Sequence, residues 1–169
     1  VPDRQVGEIA IFSECLLTGY YKRPDLNPFD PDGWYLTGDL GYMVNGELFV
    51  AGRRKDLIIN AGKNIYPADI EAIINSVPGV KAGRAVVFGV FDEREGTELL
   101  AAVVEVPDVN DEKGRAINRL IRSEVARRAM VTLSYVHLVG PKWLIKTSSG
   151  KLSRAANREK WLTEMGNRA

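Results

Sequence analysis

"PADIEAIINSVPG", Pro67–Gly79, is the stretch on which the reading of the fold turns. Ile70, Ile73, Ile74 and Val77 recur at helical spacing and share one face. Pro67 suits a first helical turn, Asp69 and Glu71 complement the positive end of the helix dipole, and Pro78-Gly79 supplies a stop. The spacing predicts a helix whose apolar face needs a cover. Downstream, "RAVVFGVF" (84–91) and "LLAAVVEV" (99–106) are apolar, β-branched runs of the kind found in buried strands, with "DEREGTE" turning between them. From about Asp111 to Ala129, Ile117, Leu120, Ile121 and Val125 again keep helical spacing. "LSYVHLV" (133–139) reads as a further strand and "SRAANREKWLTEM" (153–165) as a last helix with Ser153 as its N-cap. This order predicts an α+β fold, a small mixed sheet with helices packed on it.

Upstream of about Arg53 the texture differs. "VGEIAIF" (6–12) reads as a strand, and "PFDPDGW" (28–34), full of Pro, Asp and Gly, as a loop. In "LGYMVNGELFVAG" (40–52), Asn45-Gly46 can adopt the positive φ angles of a type I′ turn between alternating strands, which predicts a hairpin. Helical periodicity is absent here. The chain is therefore expected to divide into a β-rich segment, 1–53, and an α+β domain, 54–169.

The 169 residues suit one domain, or a small domain with part of another. With 45% hydrophobic and 27% charged residues the composition is that of a soluble globular protein, and no apolar run approaches the roughly 20 residues of a membrane span. The single cysteine, Cys15, set in a strand-like context, excludes an internal disulfide and a multi-cysteine metal site. It favours a reducing compartment, the cytoplasm. A net charge of +1 gives no electrostatic signature for nucleic acid, and Glu159 and Glu164 interrupt the basic residues near the C-terminus. The first residues, "VPDRQVGEIAI", hold neither an initiator methionine nor the zones of a signal peptide, and read as part of something longer. No metal-binding constellation is present, and His137, the only histidine, reads as structural.

Three short stretches bear candidate chemistry. "IKTSSGKLSR" (145–154) resembles the end of a phosphate-binding P-loop, but that motif needs a glycine where Ile145 stands and Ser or Thr where Leu152 stands. What remains is a flexible, donor-rich loop carrying Lys146 and Lys151, whose ammonium groups can act on phosphate or carboxylate oxygens, or an exposed connection with two solvated lysines. In "YLTGDLG" (35–41), Asp39 can accept both hydroxyls of a ribose or serve as an ordinary turn residue. In "AGRRKDLII" (51–59), the consecutive cations Arg53, Arg54 and Lys55 read by themselves as a charged linker.

Taken in order, "GEIAIFSECLLTGYYKRPDLN", "WYLTGDLG", "GRRKDLIINAGKNIYPADIE" and "IKTSSGKLSR" resemble the adenylate-forming enzymes: acyl-CoA synthetases, fatty acyl-AMP ligases, the adenylation domains of peptide synthetases and firefly luciferase. The resemblance implies the tail end of the large N-terminal portion, residues 1–53, followed by the mobile C-terminal domain, 54–169. The phosphate loop and most of the acyl pocket of that family lie outside this chain. It implies that Asp39 binds the ribose of ATP or AMP, that Arg53 assists at ribose and phosphate, and that Lys55 is the hinge. Lys151 would be the catalytic lysine of adenylation. Gly62, in "NAGKN", would belong to the face that meets the acceptor thiol, leaving room for a pantetheine arm. The implied reaction activates a carboxylic acid, of fatty type, with ATP and Mg, whose site falls mainly outside this chain. The acyl group then passes to CoA or to an acyl carrier protein. Leu36 and Ile145 depart from the family pattern, where Arg and Pro are common; Lys55, "KDLII" and "KTSSGKLSR" lean toward the acyl-AMP ligase and acyl-CoA synthetase branches. The alternative is a non-catalytic nucleotide-binding or interaction module that keeps the scaffold.

Overall fold

The computed structural model describes residues 1–107 and 111–166. They form two compact units, Val1–Leu57 and Ile58–Ala169. The first is an antiparallel sheet in the order β1-β2-β3, with β1 Gly7–Ile11, β2 Tyr35–Val44 and β3 Glu47–Arg53. Asn45 (φ 51°) and Gly46 (φ 84°) make the expected turn between β2 and β3, both in the left-handed region that this turn demands. The "PFDPDGW" loop is held by Asp30, whose carboxyl accepts the amides of Asp32 at 3.0 Å and Trp34 at 2.8 Å. Cys15 lies in an exposed turn, with its amide bonded to Ser13 Oγ, and not in a strand. No apolar side chain of residues 1–57 is buried; Phe12, Tyr21 and Val50 are 64%, 88% and 66% exposed.

The second unit is built around a mixed sheet, β6 (Ala85–Asp92), β7 (Thr97–Glu105) and β8 (Leu133–Val139), with β7 central. It is preceded by a short antiparallel pair, β4 (Ile58–Asn60) and β5 (Lys63–Ile65). β6 and β7 form an antiparallel hairpin, whereas β8 runs parallel to β7. A parallel neighbour needs a crossover, and helix α2 (Asp111–Ala129) provides it. Helix α1 (Pro67–Asn75) begins at Pro67 and ends just before Ser76, whose hydroxyl donates to the Ile73 carbonyl at 2.7 Å. Helix α3 (Arg154–Gly166) is the last element, and Ser153 caps it as expected, its Oγ accepting the Ala156 amide at 3.4 Å.

Both faces of the sheet are covered, which is why its strands read as continuous apolar runs. Ala85, Val87, Leu100, Ala102 and Val104 face a core shared with Ile70, Ile73 and Ile74 of α1 and Ile121 and Val125 of α2. Their alternates Val86, Phe88, Ala101 and Val103 face a second core with Val139, Leu144 and Trp161 of α3. Two expectations need correction. Leu120 is 46% exposed: the buried stripe of α2 runs through Ile121 and Val125, and Leu120 falls on its flank. Phe91, at the far end of "RAVVFGVF", is 61% exposed and belongs to neither core.

Candidate functional site

Asp39 and Arg53 are direct partners in the β2–β3 ladder, and the pairing brings the Arg53 guanidinium to 3.2 Å from the Asp39 carboxylate. Gly38 (φ 73°) makes the bend before Asp39. Thr37 stiffens it by accepting the Asp39 amide at 3.0 Å and donating its hydroxyl to the Ile9 carbonyl at 2.8 Å. Both charges remain partly open to water, with 36% of the Asp39 side chain and 60% of that of Arg53 exposed. Arg54 pairs with Glu8 at 2.9 Å. Lys55 lies at the centre of a single 3-10 turn, Arg54–Asp56, flanked by extended Arg53 and Leu57, and is exposed. Such a one-turn element between extended residues is a place where a few dihedrals can change without disturbing a core.

Gly62 stands at the tip of the β4–β5 hairpin. Ala61 (φ 47°) and Gly62 (φ 76°) both take the left-handed conformation, and a Cβ on Gly62 would meet nothing within 4 Å, so the backbone angle is the local reason for glycine. The sequence reading missed this hairpin, since strands of three residues carry too little pattern to register. Its position is fixed by the start of β7: Glu98 Oε2 accepts the Ile59 amide at 2.7 Å and Thr97 Oγ1 accepts the Ala61 amide at 2.8 Å.

The Lys151 loop is a tied turn and not the flexible segment that its composition suggested. Lys146 and Leu152 form an antiparallel bridge. The Lys151 carbonyl accepts the Thr147 amide at 2.8 Å and the Thr147 hydroxyl at 3.2 Å, while Gly150, at φ 82°, donates to the Thr147 carbonyl. The Lys146 and Lys151 ammonium groups are exposed and make no ion pair among the described residues. A tied backbone with a free amine presents a cation at a defined place without neutralising it.

Three residues that sequence reasoning passed over, Arg154, Asn157 and Glu105, hold this turn in place together with Glu71. Arg154, three positions beyond Lys151, donates to the Val87 carbonyl at 2.8 Å and pairs with Glu71 of α1 at 2.7 Å; Glu71 also accepts the Val87 amide at 2.9 Å. Glu71 therefore serves the tertiary fold as well as the helix dipole. Asn157 of α3 and Glu105 of β7 accept the amides of Ile145 and Leu144 at the base of the loop. The only available signal was a polar residue at a core position of a periodic element, seen at Asn157 within "SRAANREKWL" and Glu105 within "AVVEV". His137 sits on β8 with its ring edge against Trp143, centroids 6.1 Å apart. Among the described residues no group of three His, Cys, Asp or Glu side chains could hold a metal ion, and no helix is long and apolar enough to cross a membrane.

The α+β unit carries an exposed amine on a tied turn, and the β unit, taken by itself, a carboxylate–arginine pair. Residues 69–151 match the family model of the AMP-binding enzyme C-terminal domain. The long-chain-fatty-acid–AMP ligase FadD26 of Mycobacterium marinum is 37% identical over 186 aligned positions, which cover 99% of this chain and 31% of that ligase. The sulfoacetate–CoA ligase of Cupriavidus necator is 46% identical over 106 positions, 61% of this chain and 20% of the ligase. Among solved structures, McyG A-PCP complexed with phenylalanyl-adenylate superposes with a TM-score of 0.83 at 34% identity, across 98% of this chain and 26% of that one. Residues 69–151 belong to the AMP-binding enzyme C-terminal domain family, and the chain is similar over nearly its whole length to adenylate-forming ligases. It spans 31% of the length of the M. marinum relative.

Proposed function

We propose that the full-length protein is an ATP-dependent ligase that activates a carboxylic acid, of fatty type, as its acyl-adenylate and passes the acyl group to a pantetheine thiol. In this reading residues 1–53 close the large N-terminal portion and 54–169 form a mobile domain that swings about Lys55. Asp39 holds the ribose hydroxyls of ATP and Arg53 assists at ribose and phosphate. A carboxylate oxygen of the acid attacks the α-phosphorus, the bond to the bridging oxygen of the β-phosphate breaks, and pyrophosphate leaves. Lys151 meets the charge that gathers on the shared oxygens and stabilises the transition state more than the ground state. One unit pair about 4 Å apart at an effective dielectric of about 20 is worth roughly 4 kcal/mol, or about a thousandfold in rate. In the second step the lobe turns, the face around Gly62 admits the pantetheine arm, and the thiolate attacks the acyl carbon with AMP as the leaving group. Mg bound with ATP would shield its phosphates, at a site mainly outside this chain.

The observation that carries this reading is the exposed Lys151 amine, with no ion-pair partner among the described residues, on a turn whose backbone is tied on both sides. The relatives support the acid and leave two acceptors: one is named an AMP ligase of long-chain fatty acids, another a CoA ligase, and the McyG structure carries a PCP unit. The single exposed thiol fits a reducing compartment, the cytoplasm.

In the full-length protein, Lys151→Ala is expected to lower acid-dependent exchange of pyrophosphate into ATP by about a thousandfold, with ATP affinity retained. Unchanged exchange would refute the role of Lys151. Residues 1–169 alone, without a phosphate loop, are expected to form no acyl-AMP. Tight ATP binding by that chain in calorimetry, with no exchange in the full-length protein, would favour a non-catalytic module.

A further inference from the structure

Glu105 and Asn157 are the only buried polar or charged residues among the described ones, at 1% and 0% exposure. Each lies where an apolar side chain would serve packing better, because burying such groups costs free energy that only good hydrogen bonds offset. What they bind is specific. Glu105 Oε1 accepts the Leu144 amide at 2.9 Å, and Asn157 Oδ1 accepts the next amide, Ile145, at 2.8 Å. Asn157 Nδ2 then donates to the carbonyls of Ile145 at 2.9 Å and Ser153 at 2.7 Å, and the Ser153 amide donates to the Ile145 carbonyl at 3.1 Å. One amide side chain thus joins the two ends of the segment that carries Lys151.

Building on the assignment of Lys151 to adenylation, we propose that Glu105 and Asn157 are positioning residues that fix the neck of the Lys151 turn and so set where the amine arrives. Both side chains are buried, so they act through the turn. Glu105 anchors the incoming strand of the neck to the end of β7, with its second oxygen 3.6 Å from the Arg84 guanidinium. Asn157 locks the incoming and outgoing strands to each other and to the first turns of α3. With the neck fixed, the short turn between Thr147 and Lys151 has few ways to move, and a displacement of about 1 Å at a reacting group can cost a hundredfold in rate. A residue that served only stability would affect every activity of the domain alike. A positioning residue affects the step that uses Lys151.

The test uses the full-length protein. Asn157→Leu and Glu105→Leu are each expected to lower kcat for acid-dependent pyrophosphate exchange about tenfold to a hundredfold. KM for ATP, and the rate at which thiol consumes preformed acyl-adenylate, should remain unchanged. Glu105→Gln, which still offers an oxygen to the Leu144 amide, should restore exchange to near the wild-type rate. Asn157→Asp, which keeps the acceptor and loses both donors, should fall between wild type and Leu; if Asn157→Leu does not fold, it and the Glu105 pair carry the test. Lys151→Ala is measured alongside. If Lys151→Ala retains exchange, the catalytic assignment fails. If Lys151→Ala is inactive while the Leu variants exchange normally, or lose both half-reactions equally, the positioning role is overturned.

Discussion

Asp39 and Arg53 meet across a strand ladder whose backbone pairing does not depend on their side chains, so either can be removed without breaking the sheet. Exposed ion pairs contribute only about 0–1 kcal/mol to stability, whereas on the role proposed for Asp39 losing its carboxylate should cost about 1.5–3 kcal/mol of ribose binding. Asp39→Ala in the full-length protein is therefore expected to weaken AMP binding by calorimetry while its melting temperature stays within a few degrees of wild type. On α2, hydrogen bonding from Arg127 lowers the pKa of the Glu124 carboxyl, against a smaller opposing effect of burial. The folded value lies below the unfolded one, so the pair's contribution is present above the ordinary glutamate range and is lost as pH falls through the folded value. An NMR titration should give Glu124 a midpoint below that of an ordinary glutamate, and Arg127→Ala should return it to the usual range. Asp39 and Arg53 were visible as candidates because charge and turn context are local properties. Asn157 and Glu105 were not, because their partners are backbone amides that only the tertiary fold brings near.

β6 is an edge strand, and side chains from the two flanking helices complete its open side. Glu71 takes the Val87 amide, Arg154 the Val87 carbonyl and Arg158 the Gly89 carbonyl at 3.0 Å. An edge covered in this way cannot template a further strand. Glu71→Ala is expected to destabilise the chain by about 1–3 kcal/mol, since it leaves a buried amide without its acceptor; urea unfolding would measure it. Gly79, at φ 91°, closes the turn after α1, and a Cβ there would come within 2.9 Å of Ile117 Cδ1. Gly79→Ala should cost about 1–2 kcal/mol in the same assay for the left-handed backbone alone. Helices and long strands were legible because several turns or alternations repeat one signal. The β4–β5 hairpin escaped because it rests on contacts with Thr97 and Glu98, far along the chain.

The two units differ in kind. Among the described residues every buried apolar side chain lies beyond residue 57, and none within 1–57. The α+β class was readable from the order of periodic segments, as was the β character of the first unit. The exposure of that first sheet was not, since alternating strands look the same whether or not something covers them. In a three-stranded sheet both β1 and β3 present an open edge. The isolated chain 1–169 is expected to self-associate through this unit, with light scattering above the monomer mass, and limited proteolysis should cut within residues 1–57 first. A monodisperse monomer would contradict this. The tether on the Lys151 turn has a bearing on biosynthesis. Asn157 follows Lys151, so a ribosome that has extruded the lysine but not α3 has made the turn without its mounting. A nascent chain therefore cannot set this turn until α3 has emerged and docked.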